Sequence, residues 1–246
     1  MRPNYTLPRL YLDEKLVANA PISLSREHTN YLGKVLRKRE GDRVRVFNAR
    51  DGEWAAAVGA VGKRSLELNV VEKLRDPVQV PDIRLLFSPV RKHRNAFIIE
   101  KATELGIRTL QPVRTARTQF GTINLDRARA QIIEAAEQTE RMDLPAMADV
   151  KDLAILPLDR PVLFADEAGD AHPALEVIRN LSAPLDILIG PEGGFDPVER
   201  ERLRGLTNVN PVTLGPRILR ADTAALSLVT LVQAIIGDWE VADIIA

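Results

Sequence analysis

Cysteine is absent from this 246-residue chain. The absence excludes disulfides, thiolate metal sites and a cysteine nucleophile. It also disfavours methylation of pyrimidine C5, which normally needs covalent thiolate attack to activate carbon. A cysteine-free chain fits a reducing cytoplasm. Histidine is scarce: His28, His93 and His172 stand far apart, and no pair has the spacing of a zinc site. Long hydrophobic runs are missing too. The longest, Ala221 to Ile236, spans roughly 24 Å as a helix against a bilayer core of roughly 30 Å. It also carries Asp222 and Gln233, so it reads as a buried or interface helix. Met1 to Leu10 has no apolar core and is not a signal peptide. No G-x-S-x-G elbow is present. Gly190 to Gly194 is followed by no Gly-Lys-Ser/Thr and does not fit G-x-G-x-x-G. Kinase, NTPase, zinc hydrolase and Rossmann dehydrogenase chemistry are therefore disfavoured.

What is present is a globular composition, 45% hydrophobic and 28% charged, of a length for one large or two small domains. Net charge is zero but unevenly spread. Residues 1–76 hold 15 Lys and Arg against 10 Asp and Glu, residues 82–141 hold 11 against 7, and residues 143–214 hold 6 against 13. A basic front and an acidic back predict a polyanion on one side. Residues 1–76 with Arg91, Lys92 and Arg94 are the expected polyanion-facing surface. Solvated faces with chance asymmetry are the alternative.

The front half reads as a small, mainly β domain with one helix. Leu10 to Leu12 is a short strand. Ser25 can cap a helix that places Tyr31, Leu32, Val35 and Leu36 on one side, with Lys34, Arg37, Lys38 and Arg39 on or beside its polar face. Arg43 to Phe47 alternates as a strand with one basic face. Glu53 to Val61 and Ser65 to Glu72 follow as strands. Two prolines frame a linker near residues 77–81. Beyond it, strands at Ile83 to Phe87, Thr109 to Val113 and Pro161 to Ala165 alternate with helices at Asn95 to Leu105, Asp126 to Arg141 and Pro173 to Asn180. That order implies a parallel sheet covered on both faces.

Two stretches share one grammar. Leu185 to Ile189 and Val209 to Leu214 are apolar runs, each ending in a Gly-Pro turn and followed by a helical segment. Gly sets the turn backbone and lets a ligand approach closely, and ligands of open α/β sheets sit outside the carboxyl ends of strands. The pattern also fits two ordinary strand-to-helix turns. Arg217 and Arg220 can hold a phosphate or an electron-rich base, and Glu192 and Asp222 supply carboxylates. Either arginine can instead pair with Asp222, and Glu192 can instead cap the helix after Asp196.

At these residues the chain resembles the 16S rRNA uridine-N3 methyltransferase family of the SPOUT superfamily. Ile189-Gly190-Pro191-Glu192-Gly193-Gly194-Phe195 and Leu214-Gly215-Pro216-Arg217-Ile218-Leu219-Arg220 carry most of the likeness. His28 to Arg37, Lys101 to Gly106 and Glu134 to Gln138, leading to Arg141 and Pro145, support it in the family order. The resemblance implies a PUA-like β-barrel over residues 1–76 that holds RNA, a linker at 77–81, and a SPOUT domain over 82–246 with a C-terminal trefoil knot. It implies S-adenosylmethionine held by Phe164, Ile189, Gly190, Pro191, Glu192, Gly193, Gly194, Leu214, Gly215, Ile218, Leu219, Arg220, Thr223 and Ala224. Arg220 and Glu192 are the expected catalytic residues. RNA contacts are expected at Arg2, Arg9, Lys34, Arg37, Lys38, Arg39, Arg91, Lys92, Arg94 and Arg117. A homodimer acting in the cytoplasm on 16S rRNA of the small ribosomal subunit follows, with no metal and no membrane. The family commonly reads Leu-Arg-Thr-Glu-Thr-Ala where this chain has Leu219-Arg220-Ala221-Asp222-Thr223-Ala224, so the carboxylate is one methylene shorter. Other SPOUT targets, ribose 2′-OH or guanosine N1, and a non-catalytic RNA-binding role are the alternatives.

Overall fold

The computed structural model describes residues 6–62, 65–167 and 170–239. The chain divides into two units, Met1–Gln79 with Glu137–Asp143, and Val80–Ala136 with Leu144–Ala246. Among the described residues, no helix is long and apolar enough to cross a membrane.

The first unit is built on a five-stranded sheet. Its strands are β1 (Arg9–Tyr11), β2 (Pro21–Ser23), β3 (Arg43–Asn48), β4 (Gly52–Val61) and β5 (Leu66–Arg75), paired in the order β1-β3-β4-β5-β2. Only the β1–β3 pair is parallel. Alternate residues fill one core: Val44 and Val46, Ala56 and Val58, Leu66, Leu68 and Val70, packed with Leu10, Leu12 and Leu32. This is the period-two signature of a strand face packed on a core, and the alternate residues Arg9, Arg45, Phe47, Glu53 and Ala55 are buried on the other face. Ser25 caps α1 (Arg26–Asn30), accepting a bond from His28 N at 3.1 Å. The helix then widens into one π turn over Tyr31–Val35 and stops. The helix expected to carry Arg37, Lys38 and Arg39 is thus shorter than its periodicity suggests. Gly33 within the π turn is a poor helix former, and Arg37 takes a left-handed φ of 52° that no helix continues through.

The basic face expected on β3 is not a solvated face. Arg45 is buried and bonds Glu140 at 2.7 Å through both terminal nitrogens. Arg9 is also buried, bonds Glu53 at 2.5 Å, and lies 3.5 Å from the centre of the Phe47 ring. Arg75 joins both carboxylates, Glu53 at 2.8 Å and Glu140 at 2.8 Å. Arg9 therefore cannot serve as the RNA contact expected of it; its charge is committed to the interior. Glu140 and Arg141 enter this unit from far along the chain, and Arg141 O accepts a bond from Arg9 at 2.7 Å. The sequence reading had placed the Glu137–Asp143 segment with the second part of the chain.

The second unit contains β6 (Ile83–Phe87), α2 (Lys92–Glu104), β7 (Thr109–Arg114), α3 (Leu125–Gln138) except its last two residues, β8 (Ala146–Met147), β9 (Lys151–Asp152), β10 (Val162–Ala165), β11 (His172–Pro173), α4 (Ala174–Ile178), β12 (Leu185–Ile189), α5 (Pro197–Arg204), β13 (Val209–Thr213) and α6 (Ala221–Ile236). The strands pair in the order β11-β13-β10-β12-β6-β7-β8, and every pair is parallel. Side chains alternate between two cores. Leu85 and Phe87 face one with Ile98, Ala225, Leu228 and Val229, while Leu86 faces the other with Phe164, Leu188, Phe195 and Leu203. Both faces of the sheet are covered, as strand and helix alternation implied. The α6 helix buries Ala221, Ala225, Leu228, Val229 and Val232, and leaves Leu226 and Leu231 half-exposed. Gly106, with a φ of 81°, ends α2 while Ile107 N bonds Ala102 O.

Burial alone would push the Glu53 carboxyl up; bonds from Arg75 and Arg9 more than reverse this and hold it below the usual glutamate range. A lowered folded pKa contributes stability above the unfolded value, lost as pH falls through the folded one. Removing the carboxylate leaves buried cations uncompensated. Glu53→Ala is expected to destabilise the first unit by about 3–5 kcal/mol, read from urea unfolding followed by Trp54 fluorescence. The wild-type advantage over the variant is expected to shrink on acidification below the carboxylate range. A loss under about 1 kcal/mol would show a network no stronger than a surface pair.

Candidate functional site

Parallel strands send their carboxyl ends to one edge of the second unit. Strand β10 there is flanked by β12 and β13, both later in the chain. The carboxyl end of β10 is thus a point where chain order reverses, which opens a crevice.

The turn after β12 is held from three sides. Ser88 N, after β6, donates to Ile189 O at 3.0 Å, and Ser88 Oγ lies 2.6 Å from Thr118 Oγ1. Arg117, after β7, donates to Gly193 O at 3.0 Å. Phe195 folds back beneath the turn and packs edge-on against Phe164, ring centres 4.8 Å apart. A Cβ on Gly190 would come within 2.5 Å of the Phe195 ring, so the absence of a side chain there is a packing requirement. Gly194 has a φ of 67°, and a Cβ on it would strike the Glu167 carboxylate. Asp196 caps α5 itself, accepting from Val198 N at 3.0 Å. Glu192 is therefore free of the capping role left open for it.

The turn after β13 differs. Gly215 has a φ of 107°, yet a Cβ on it would meet nothing within 4 Å. Here the glycine answers to backbone shape, and its surroundings are open. A cleft of about 160 Å3 lies against this turn, lined by Leu214, Gly215, Ile218, Leu219 and Ala224. These are five of the residues expected to hold a cofactor. Ile218 is 84% exposed at its rim, an apolar side chain without cover. Phe164, Ile189, Gly190 and Pro191 lie buried under the edge; Glu192, Gly193, Arg220 and Thr223 are exposed on it, and Gly194 is half-buried. Sequence reading missed Ala165, Asp166 and Glu167, which line the same cleft from the end of β10. An acidic pair just after an apolar strand was the available signal. Asp166 is fully committed, to Arg200 at 3.1 Å and Arg204 at 2.8 Å, while Glu167 bonds Arg200 at 2.9 Å.

One guanidinium joins the two turns. Arg94, in the first turn of α2, lies 3.6 Å from Glu192 and 3.3 Å from Asp222. Its side chain is only 15% exposed, so the RNA contact expected of Arg94 is corrected: it braces carboxylates from two loops. Asp222 consequently pairs with Arg94, leaving Arg217 and Arg220 exposed and, among the described residues, without a carboxylate partner. Of the other expected RNA contacts, Lys34, Arg37, Arg39, Arg91, Lys92 and Arg117 are exposed and Lys38 is half-buried. Arg2 lies outside the described residues.

The chain matches the family model for an RNA methyltransferase domain over residues 77–233 and that for an RNA methyltransferase PUA domain over residues 24–71. It is 32% identical to the ribosomal RNA small subunit methyltransferase E of Rickettsia conorii, over 92% of this chain and 94% of the relative. The protein of the same name from Bacillus subtilis is 30% identical over 87% and 91%. Among solved structures, the ribosomal RNA small subunit methyltransferase E of Neisseria gonorrhoeae bound to S-adenosyl methionine superposes with a TM-score of 0.83 at 27% identity, covering 95% of this chain and 99% of that one. A Legionella pneumophila methyltransferase with bound SAM gives 0.81 at 25% identity, covering 94% and 99%.

Two glycines of the turn after β12 make opposite demands. Gly190→Ala is expected to lower stability by about 1–3 kcal/mol, the usual cost of overpacking. Gly193→Ala, whose Cβ would sit 3.8 Å from Arg117, is expected to stay within about 0.5 kcal/mol. Denaturant melts of the two variants check this; equal losses would remove the packing role of Phe195 against Gly190.

Proposed function

This chain belongs to the RNA methyltransferase family, and on that premise we propose that it methylates N3 of a uridine in 16S rRNA with S-adenosylmethionine as donor. The cleft beside Leu214–Leu219 carries the reading. It is small and open, lined by apolar groups together with Asp166, Glu167 and Arg217, and edged by backbone at a glycine with positive φ, which suits a nucleoside-like cofactor. Leu214, Gly215, Ile218, Leu219 and Ala224 would hold it, with Ile218 gaining the cover it lacks. Bound there, S-adenosylmethionine supplies an electrophilic methyl on a sulfonium sulfur.

The chain's own residues do the rest. Uridine N3 is an imide nitrogen between two carbonyls. It attacks only after losing its proton, and the resulting charge spreads onto O2 and O4. Arg220, always cationic and unpaired among the described residues, stabilises that charge. Asp222 cannot neutralise it, because Arg94 holds that carboxylate. Glu192 faces the same Arg94 and serves to position the turn, so hydroxide is the proton acceptor. Arg217 and Arg117 offer further positive charge to RNA phosphates. The first unit supplies RNA affinity through the exposed Lys34, Arg37 and Arg39, as a PUA-like domain over residues 1–76 joined by residues 77–81 to a SPOUT domain over 82–246. The insertion of β13 between β10 and β11 supports C-terminal threading of the knotted kind. The half-exposed Leu226 and Leu231 of α6, with the exposed Phe97 of α2, support a homodimer through this unit. Acting on ribosomal RNA, the enzyme would work in the cytoplasm.

Arg220→Ala is expected to cut turnover about 10²–10³-fold, the scale of one lost charge-stabilising donor, with cofactor affinity changed only a few-fold. Turnover of the wild type should rise with pH while deprotonation limits it. Single-turnover assays on 30S subunits, calorimetry with S-adenosylmethionine and mass mapping of the product read these out. A methyl on ribose O2′ or guanine, or a fully active Arg220→Ala enzyme, refutes the mechanism.

A further inference from the structure

A second cavity of the second unit lies apart from the cleft proposed for the cofactor. It measures about 460 Å3, within the range of about 300–1,000 Å3 of small-molecule sites. Val90, Ala96, Ile99, Ile123 and Ala128 form its apolar lining. Gln119, Asn124 and Gln131 add amides, and Lys92 and Arg127 add positive charge. Among the described residues no carboxylate lines it, and neither cation is paired with one. The Phe120 ring, 38% exposed, stands at its rim. An apolar slot, an aromatic face, amides and cations without acids form the chemistry that receives a base and its phosphate.

Two elements tie this cavity to the reaction centre. The loop after β7 carries Arg117 on Gly193 O and, three residues on, Phe120 at the cavity. The first turn of α2 carries Arg94 on Glu192 and Asp222, and Lys92 at the cavity. We propose that this cavity receives one unpaired base of the RNA strand next to the reacting nucleotide, stacked on Phe120 with its phosphate at Lys92 and Arg127. This rests on the RNA methyltransferase reading above. The site holds the strand so that the target base reaches Arg220, and it explains why a chain with few aromatics leaves one exposed on this loop.

The full chain is tested with a fluorescent heptauridylate by anisotropy, with a 5-iodouridine heptamer by photocrosslinking, and with S-adenosylmethionine by calorimetry. Phe120→Ala is expected to weaken heptauridylate binding about tenfold, within the value of one base–aromatic stack. Phe120→Trp should restore it, cofactor affinity should be unchanged in both, and the wild-type crosslink should fall within residues 119–131. On 30S subunits the loss should appear in KM and spare kcat. Unchanged RNA affinity in Phe120→Ala, or crosslinks confined elsewhere, overturns the proposal. So does a variant that turns a wild-type dimer into a monomer by light scattering, since the cavity then seats a second copy. If the wild type methylates rRNA and Phe120→Ala is indistinguishable from it, only the cavity assignment fails. If the wild type binds neither cofactor nor RNA, the functional reading fails first.

Discussion

Parallel pairing of β6, β10, β12 and β13 is the constraint on which the candidate site depends. Parallel strands leave every following loop on one edge, so turns distant in sequence converge without any residue being chosen for it. Chain order reverses around β10, which opens space where β12 and β13 release their chains. The two glycine turns acquire meaning from that placement. On a strictly antiparallel sheet the carboxyl end of β10, which lies between them, would be at the opposite edge from both turns.

Within that edge the charges are sorted by burial. Carboxylates facing the interior already have cations: Asp166 has Arg200 and Arg204, and Asp186, deep in β12, has Arg84 at 2.5 Å. Burial raises the Asp186 carboxyl above its usual range despite Arg84. That pair lies near the amino ends of the strands, away from the turns, and is a cross-strand tie. At the carboxyl edge, Arg94 takes up Glu192 and Asp222. What is left facing outward is cationic, Arg217 and Arg220, which suits an edge that meets an anion and develops negative charge in the reacting base.

Much of this was legible in the residues. The strands Ile83–Phe87 and Leu185–Ile189 and the helix Ala221–Ile236 are where apolar runs place them, because continuous apolar runs have few other homes than a doubly covered sheet or buried helix. Strands of two or three residues, such as Pro21–Ser23, Ala146–Met147 and His172–Pro173, are too short to show a period. Arg45 misled because alternating arginines look like a solvated face, and Arg9 because it belongs to a stretch with an excess of positive charge; only long-range partners reveal a buried network. Arg94 misled for the same reason. The two Gly-Pro turns look alike in sequence, yet Gly190 is required by the Phe195 ring and Gly215 by its backbone angle. Composition cannot separate a steric glycine from a conformational one.

The segment Glu137–Asp143 has a consequence for how the chain is made. Glu140 compensates Arg45 and Arg75, and the Arg141 carbonyl compensates Arg9, inside a sheet whose last strand ends at Arg75. During synthesis, the ribosome delivers all five strands long before it delivers these partners. Until then the interior of the first unit holds an excess of positive charge, which buried sites tolerate poorly. The unit's charge network is therefore complete only when the chain beyond residue 140 has emerged. A break at the proline-framed linker would yield a fragment with every strand but with Glu53 alone to offset Arg9, Arg45 and Arg75: the first unit is contiguous in its sheet but not in its electrostatics.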